Sequence, residues 1–234
     1  MSVVIARAAE KQQLDDALRS PNAELIAVYG RRRVGKTFLI RQHYAAAICF
    51  ELVGIHDASL AVQLRSFAHT LATAVGRGRA SAPPPVDWHA AFRQLTDWLQ
   101  TCKPKRGKRV VFFDELPWLA SRRSGFLPAF EHFWNAWAAQ QPWLVVVVCG
   151  SAASWMLEKV VRQRGGLHNR VTRRLRVEPF SLADARTLLA SRGVDLGNYQ
   201  TAELYMALGG IPFYLAAVRG SESAAQNIDR LCFA

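Results

Sequence analysis

The sequence has few cysteines, and no two of them have the spacing of a metal-binding or redox motif. Its 234 residues include four, Cys49, Cys102, Cys149 and Cys232, and none forms a C-x-x-C pair. The spacing therefore excludes a zinc-finger or thioredoxin-type motif. Cys49 and Cys149 stand in apolar runs, where we expect reduced and buried thiols.

Long hydrophobic runs are also absent. No stretch reaches the roughly 18 apolar residues that a membrane-spanning helix needs, so no membrane span is expected. The first residues, MSVVIARAAEKQQL, have too short an apolar run and too many charges for a signal peptide. Together these absences predict a cytoplasmic protein.

Acidic residues are scarce beside basic ones. The 18 Asp and Glu residues face 30 Lys and Arg residues, which gives a formal net charge of +12. This excess favours a polyanionic partner, which can be a nucleotide, a nucleic acid or an acidic surface, or it reflects composition alone. The hydrophobic fraction of 50% excludes an intrinsically disordered chain.

Short apolar runs alternate with segments of helical periodicity, which predicts an α/β fold with a parallel sheet covered on both faces. The predicted strands are residues 24–29, 48–53, 110–113, 143–149 and 172–177. The predicted helices before residue 181 are 5–19, 36–46, 58–75, 87–101 and 126–140. From Ser181 onward the pattern is helical, and Ser181 with Asp184 forms a capping-box signal.

The segment after the first strand matches the phosphate-loop pattern G-x-x-x-x-G-K-S/T. It runs from Gly30 to Thr37, with a strand before it and a helix after it. Glycines let the backbone curl around phosphate oxygens, and the N–H groups and the helix dipole then attract the anion. Lys36 is predicted to contact the β- and γ-phosphates and Thr37 to bind Mg²⁺. Arg31, Arg32 and Arg33 either touch phosphate or are solvated.

Polar groups follow two later strands, and functional groups of such sheets lie at the carboxyl ends of strands. Asp114 ends the third strand and is predicted to hold Mg²⁺, while Glu115 is predicted to orient or deprotonate the attacking water. Ser151 follows the fourth strand and is predicted to sense the γ-phosphate, or to act only as a helix N-cap.

Arginines are concentrated before and within the fifth strand. Six of them, with no acidic residue between them, fall from Arg162 to Arg176. Arg170 is the one best placed to act as an arginine finger on a transferring phosphoryl group. The others, with the basic turn 103–109, either contact nucleic-acid phosphates or form a solvated basic face.

The segments YGRRRVGKT, FFDELPWL, CGSAASWM, HNRVTRRLRVEPFS and GGIPFYL occur in this order. Their order resembles the prokaryotic, archaeal-type P-loop ATPase family, which is related to AAA+ proteins and to signal-transduction NTPases with numerous domains. The resemblance implies a five-stranded parallel sheet in the order 5-1-4-3-2, flanked by helices and followed by a small helical lid. It also implies an α/β core over residues 1–180 and a lid over residues 181–234.

The resemblance assigns the nucleotide site residue by residue. It implies that residues 30–37, including Val34 and Gly35, bind ATP together with Phe38. It also implies that Asp114 and Glu115 handle Mg²⁺ and the attacking water, and that Ser151 senses the γ-phosphate. Arg170 matches the family's arginine before the last strand, and Pro212 matches the lid motif near the base. Arg7 matches an N-terminal contact with the base.

Two departures from the family pattern stand out. Ala6 replaces the glycine that usually precedes this arginine. Family members also usually continue into a winged-helix and often a nuclease-like region, so we expect this chain to be either a fragment or a truncated product that stops before such a region.

Three hypotheses about function remain. The first is a Mg²⁺-dependent ATP-hydrolysing switch or motor coupled to a partner or a C-terminal domain. The second is a nucleotide-gated binding module with little hydrolysis of its own, whose self-assembly supplies an arginine in trans. The third is DNA binding through the basic patches. A kinase or GTPase is less favoured, since the sequence has no acceptor pocket that can be read and no N-K-x-D motif.

Overall fold

The computed structural model describes residues 4–76, 83–161 and 170–233. Within these residues five strands form one sheet. The strands are β1 (Glu24–Tyr29), β2 (Ile48–Val53), β3 (Arg109–Asp114), β4 (Leu144–Gly150) and β5 (Arg173–Arg176).

All neighbouring strands of the sheet are parallel, in the order β2-β3-β4-β1-β5. Read from the other edge, this is the predicted order 5-1-4-3-2, which is therefore confirmed. Because the strands are parallel, the loops that follow β1, β3 and β4 meet at one edge of the sheet.

The helices cover the sheet and extend beyond it. They are α1 (Ala8–Arg19), α2 (Lys36–His43), α3 (Leu60–Val75), α4 (Trp88–Thr101), α5 (Leu116–Leu119), α6 (Phe126–Ala136), α7 (Ala153–Met156), α8 (Leu182–Ser191), α9 (Asn198–Leu208), α10 (Pro212–Leu215) and α11 (Ala224–Cys232). A π-helical turn, Leu157–Val161, continues α7. The helix predicted over 126–140 ends at Ala136, and a 3₁₀ turn follows at Ala138–Gln140.

The two faces of the sheet pack against separate apolar layers. One layer contains the aromatic stripe of α6, including Phe130 and Phe133, which packs against Phe92 of α4 and Phe113 of β3. The other layer contains Leu14 of α1 with the buried residues of α2. The aromatic side chains of α6 are thus part of the core.

The helices after residue 180 share a third apolar cluster, which includes Leu189, Leu204 and Leu215. Ser181 accepts a hydrogen bond from the backbone N–H of Asp184, and both halves of the predicted capping box are present. The division into a core and a lid at residue 180 stays a prediction.

All four cysteines are free thiols. Burial raises the pKa of the Cys149 thiol well above its usual range and that of Cys49 to about 12. Cys149 is fully buried, whereas Cys49 is half-buried. No helix among the described residues is long and apolar enough to span a membrane.

Candidate functional site

The loop between β1 and α2 is shaped by two glycines with positive φ. Gly30 has φ +151° and Gly35 has φ +90°. A Cβ atom on Gly30 would lie 2.2 Å from the carbonyl oxygen of Val177, so only glycine fits between the loop and the residue that follows β5. At Gly35 there is no such neighbour, and the backbone conformation alone favours glycine.

Lys36, the first residue of α2, is buried with its ammonium group inside the loop. Its Nζ donates hydrogen bonds to the carbonyl oxygens of Gly30, at 3.1 Å, and Arg31, at 3.0 Å. These bonds hold the ammonium group inside the loop, within reach of a phosphate that the backbone N–H groups would bind. The side chain is only 6% exposed, so its charge is little screened there.

Thr37 and Asp114 meet at the edge between α2 and β3. The hydroxyl of Thr37 donates to Oδ2 of Asp114 over 2.7 Å, and Oδ1 of Asp114 accepts the N–H of Glu115. Hydroxyl and carboxylate oxygens fit Mg²⁺, which usually takes few protein ligands and completes its shell with water and phosphate. Among the described residues no three or more His, Cys, Asp or Glu residues group as metal ligands.

Glu115 and Ser151 bring the ends of β3 and β4 together. The Ser151 hydroxyl lies 2.9 Å from Oε2 and 3.1 Å from Oε1 of Glu115, and its backbone N–H donates to Oε2 at 3.4 Å. Glu115 itself has φ +48°, a left-handed conformation that is strained for a side chain of this kind. The short helix α5, with Pro117 in its first turn, begins directly after it.

A cavity of about 650 Å³ is lined by many of these groups, although Asp114 and Gly30 are not among them. Its walls are Arg31, Arg32, Arg33, Gly35, Lys36, Thr37, Phe38, Glu115, Ser151, Ile211 and Tyr214. We call it the phosphate cavity. The structure thus brings most of the sequence-predicted residues of the loop and strand ends into one space.

A second cavity of about 700 Å³ lies beside it and is mostly apolar. Its walls are Val4, Ile5, Arg7, Arg33, Val34, Gly35, Phe38, Leu39, Phe180, Leu188, Ser191, Arg192, Pro212, Phe213 and Ala216. We call it the base cavity. Three residues, Arg33, Gly35 and Phe38, line both cavities, so the two spaces adjoin along the phosphate loop.

Arg7 is locked into the wall of the base cavity. Its guanidinium pairs with Glu10 at 2.9 Å, donates to the carbonyl oxygen of Val34 at 3.1 Å and lies 4.6 Å from the ring centre of Phe180. Ala6 and Arg7 have φ +56° and +61°. Ala6 therefore occupies a left-handed position, which explains why the family usually has glycine there.

Several lining residues were not identified from the sequence. Phe213 and Tyr214 directly follow Pro212 in the GGIPFYL segment, but the family resemblance assigned a role only to Pro212. The signal that could have found them is the pairing of an arginine-rich loop with two adjacent aromatic residues, since guanidinium groups stack on aromatic faces.

Arg170 lies far from the phosphate loop of its own chain. Thr172 donates its N–H to Leu25 near the start of β1, whereas the loop begins after Tyr29 at the other end. At roughly 3.3 Å per strand residue, most of the length of β1 separates Thr172 from the start of the loop. The structure does not bring Arg170 to the phosphate cavity, so an arginine-finger role would require a neighbouring chain.

The described residues of the two basic patches line neither cavity. Lys103, Lys105 and Arg106 are exposed in the turn before β3, at the sheet edge opposite the phosphate loop. Arg173 forms an ion pair with Glu24, and Arg176 forms one with Glu178. Arg174 is exposed, and residues 162–169 lie outside the described residues.

A parallel sheet in this order, with a loop between β1 and α2 that has glycines near both ends and holds a buried lysine, defines a P-loop NTPase. The chain belongs to the family described as an ATPase domain predominantly from Archaea, whose family model matches residues 5–218. The resemblance drawn from the sequence motifs is thereby confirmed.

One curated protein matches most of the chain. The uncharacterized protein MJECL04 of Methanocaldococcus jannaschii is 26% identical over 220 residues, which cover 92% of this chain and 44% of that protein. The chain thus spans less than half the length of this curated relative.

Solved structures share the fold. The Walker-type ATPase PABY2304 of Pyrococcus abyssi has a TM-score of 0.69 and 19% identity, over 97% of this chain and 71% of that one. The ORC2 protein of Aeropyrum pernix, solved with ADPNP and ADP, has a TM-score of 0.61 and 14% identity, over 98% and 69% of the two chains. A STAND protein with a tetratricopeptide repeat sensor, PH0952 of Pyrococcus horikoshii, has a TM-score of 0.57 and 14% identity, over 100% and 33%.

Proposed function

We propose that this chain binds ATP with Mg²⁺ across the two cavities and hydrolyses it as a switch or motor module. The observation that carries the proposal is the hydrogen bond between Thr37 and Asp114 beside the buried ammonium group of Lys36. This contact supports the proposal because two oxygen atoms of the kind that Mg²⁺ prefers then lie near an ammonium group, an arrangement suited to phosphoryl transfer.

The triphosphate would lie along the loop from the junction of the two cavities toward Glu115. Backbone N–H groups at the start of α2 and the helix dipole stabilise the β-phosphate, and Lys36 contacts the β- and γ-phosphates. Thr37 and Asp114 would hold Mg²⁺, which when bound neutralises phosphate charge and orients the γ-phosphate. The phosphate cavity suits an anion, since Arg31, Arg32, Arg33 and Lys36 outnumber the acidic residue that lines it.

The base cavity favours adenine. Guanine presents N–H donors at N1 and N2 that an acidic side chain usually accepts, and no Asp or Glu is among the described residues that line this cavity. Its apolar walls, including Pro212 and Val34, suit the faces of a planar base. Arg7 borders the cavity through a guanidinium whose carboxylate partner, Glu10, offsets its charge.

Glu115 is the group that would orient the attacking water or take its proton. Its carboxylate lies at the end of β3, one residue beyond the proposed Mg²⁺ ligand, and lines the phosphate cavity. A general base in this role contributes about 10²–10⁴-fold to the rate. Ser151, bonded to both carboxylate oxygens, would hold Glu115 in place and sense the γ-phosphate.

Release of phosphate from MgATP tests this function. We expect Glu115→Gln to lower turnover by about 100-fold or more, while calorimetry shows that ATP still binds. Glu178→Gln is the matched control, since it changes an exposed carboxylate that pairs with Arg176, and it should leave turnover unchanged. Equal turnover in the Glu115 variant and the unsubstituted chain would contradict the assigned role, and absence of ATP binding would contradict the whole proposal.

The Glu115–Ser151 contact also supports a second candidate, a nucleotide-gated binding module with little hydrolysis. In that case Ser151 keeps the Glu115 carboxylate from activating water, because its hydroxyl lies within hydrogen-bond distance of both carboxylate oxygens. Ser151→Ala separates the two. A fall in turnover supports a positioning and sensing serine, whereas a rise supports a serine that restrains hydrolysis.

Self-assembly and DNA binding are extensions of this proposal. The exposed Arg170 would act only in trans, so turnover should rise steeply with protein concentration, and Arg170→Gln should abolish that rise. For DNA, the exposed Lys103, Lys105 and Arg106 predict an affinity that falls as salt increases. DNA binding that is absent at low salt, or turnover per chain that is independent of concentration, would contradict the respective extension.

A further inference from the structure

The guanidinium of Arg33 lies against two aromatic rings of α10. Its Cζ is 4.7 Å from the ring centre of Phe213 and 5.2 Å from that of Tyr214, and the guanidinium donates a hydrogen bond to the Tyr214 hydroxyl. Arg33 and Tyr214 are 181 positions apart in the sequence. These contacts therefore join the phosphate loop directly to the C-terminal helices.

The backbone of the loop directs Arg33 toward this contact. The residue has φ +68°, a conformation that costs energy for any residue except glycine and that often marks a functional position. Its side chain is exposed, and no carboxylate in residues 4–76, 83–161 and 170–233 forms an ion pair with it. Within that part of the chain its polar and charged contacts are to Phe213 and Tyr214.

Arg33 also stands where a polyphosphate would compete for it. It lines both the base cavity and the phosphate cavity, so it borders the junction at which the α- and β-phosphates would lie. Hydrogen bonds from a guanidinium to phosphate are charge-assisted and often bidentate, whereas a cation–π contact at an exposed site is weak. We therefore expect a bound polyphosphate to replace the aromatic rings as the partner of the Arg33 guanidinium.

We propose that Arg33 couples phosphate occupancy of the loop to the position of α10. A polyphosphate takes the guanidinium away from Phe213 and Tyr214, and α10 loses its tie to the loop. The inference rests on the proposed nucleotide site, but it adds a role for Arg33 that phosphate binding alone does not require.

The connection before α10 allows such a movement. Gly209 and Gly210 separate α9 from α10 and have φ +65° and +66°. Two consecutive glycines in left-handed conformations can absorb a change in backbone direction. Because Pro212 lines the base cavity, a shift of α10 would also change the wall against which a base packs.

Amide hydrogen exchange of α10 tests the proposal. The N–H groups of Leu215 and Ala216 are bonded to the carbonyl oxygens of Ile211 and Pro212, so their exchange reports the stability of this helix. Inorganic pyrophosphate is the probe, since it occupies the phosphate site without a base that would contact Pro212. We expect it to speed exchange of these amides by about five- to seventyfold, the effect of losing a weak cation–π contact and one hydrogen bond. Adenosine alone should not do so.

Variants connect the effect to Arg33. Arg33→Gln should show the faster exchange without any ligand and should not respond to pyrophosphate. Tyr214→Phe, which keeps the ring but removes the hydroxyl, should show an intermediate rate. Arg186→Gln, which removes an exposed arginine from α8 outside both cavities, should behave like the unsubstituted chain.

Two results would overturn the inference by itself: pyrophosphate that binds in calorimetry without changing α10 exchange, or an Arg33→Gln variant that still responds to it. Failure of pyrophosphate to bind at all would overturn the proposed phosphate site together with this inference. The two kinds of failure are therefore distinguishable.

Discussion

The hydroxyl of Thr37 lies 2.7 Å from Oδ2 of Asp114, a residue 77 positions further along the chain. The contact ties the start of α2 to the end of β3 and brings two oxygen donors together at the carboxyl edge of the sheet. If this pair holds Mg²⁺ as we propose, its two oxygen atoms are already close together, so binding costs little ordering.

Thr37→Val should remove the effect of Mg²⁺ on ATP binding while nearly preserving side-chain shape. We expect ATP affinity in the presence of Mg²⁺ to fall by about tenfold or more, equivalent to roughly 1.4 kcal/mol, and affinity in EDTA to stay the same. Calorimetry with and without Mg²⁺ measures both. Thr187→Val, an exposed position of α8 whose hydroxyl bonds to Ala183, is the control. A Mg²⁺ effect of undiminished size in the Thr37 variant would refute the assignment.

Gly209→Ala and Gly210→Ala should differ in stability although both backbones are left-handed. A Cβ atom on Gly210 would lie 2.3 Å from the carbonyl oxygen of Phe180, whereas one on Gly209 meets nothing within 4 Å. We expect a loss of about 1 kcal/mol at Gly209 from the backbone conformation alone, and a clearly larger loss at Gly210, where backbone must also move. Urea unfolding of both variants measures the difference, and equal losses would argue against the close approach.

Ala6→Gly should stabilise the protein. The left-handed conformation of Ala6, with φ +56°, costs a residue with a Cβ atom about 1–2 kcal/mol. Glycine costs only about 0.4–1 kcal/mol in greater freedom of the unfolded chain, so we expect a net gain of up to about 1 kcal/mol. Ala9→Gly, within α1, should instead destabilise. Thermal unfolding distinguishes them, and a lower midpoint for Ala6→Gly would show the prediction to be wrong.

Glu24 should make stability depend on pH in the acid range. Burial raises the pKa of its carboxyl group, but hydrogen bonds from Thr172, Ser20 and Arg173 outweigh this effect, so the pKa lies below the ordinary value of 4.5. A carboxyl group whose pKa is lowered by folding stabilises the protein above its unfolded-state pKa, and that contribution is lost as pH falls through the folded-state value.

Glu24→Gln should therefore lower the free energy of unfolding at pH 7, and the difference from the unsubstituted chain should shrink as pH falls below about 4.5. Urea unfolding at pH 7 and at acid pH measures the change. Glu178→Gln, an exposed carboxylate, should show a difference within about 0.5 kcal/mol throughout. A deficit for Glu24→Gln that is independent of pH would contradict the linkage.

The sequence by itself predicted the strand–loop–helix around Lys36, the acidic end of β3 and the helices that cover the sheet. These features depend on apolar periodicity, on glycines at tight turns and on a short contiguous motif, all of which involve residues close together in the chain. The order of the strands was predicted from the family resemblance rather than from periodicity, because alternating strands and helices are compatible with several orders.

Only the tertiary structure decided which distant side chains meet. Ser151 bonds to Glu115 from 36 positions away, and Arg33 contacts Tyr214 from 181 positions away. It also placed Arg170 at the edge opposite the phosphate loop, although the residue is near a strand in the sequence. Such neighbours depend on how parallel strands align and on how the C-terminal helices return to the sheet, and no local pattern in the sequence encodes either.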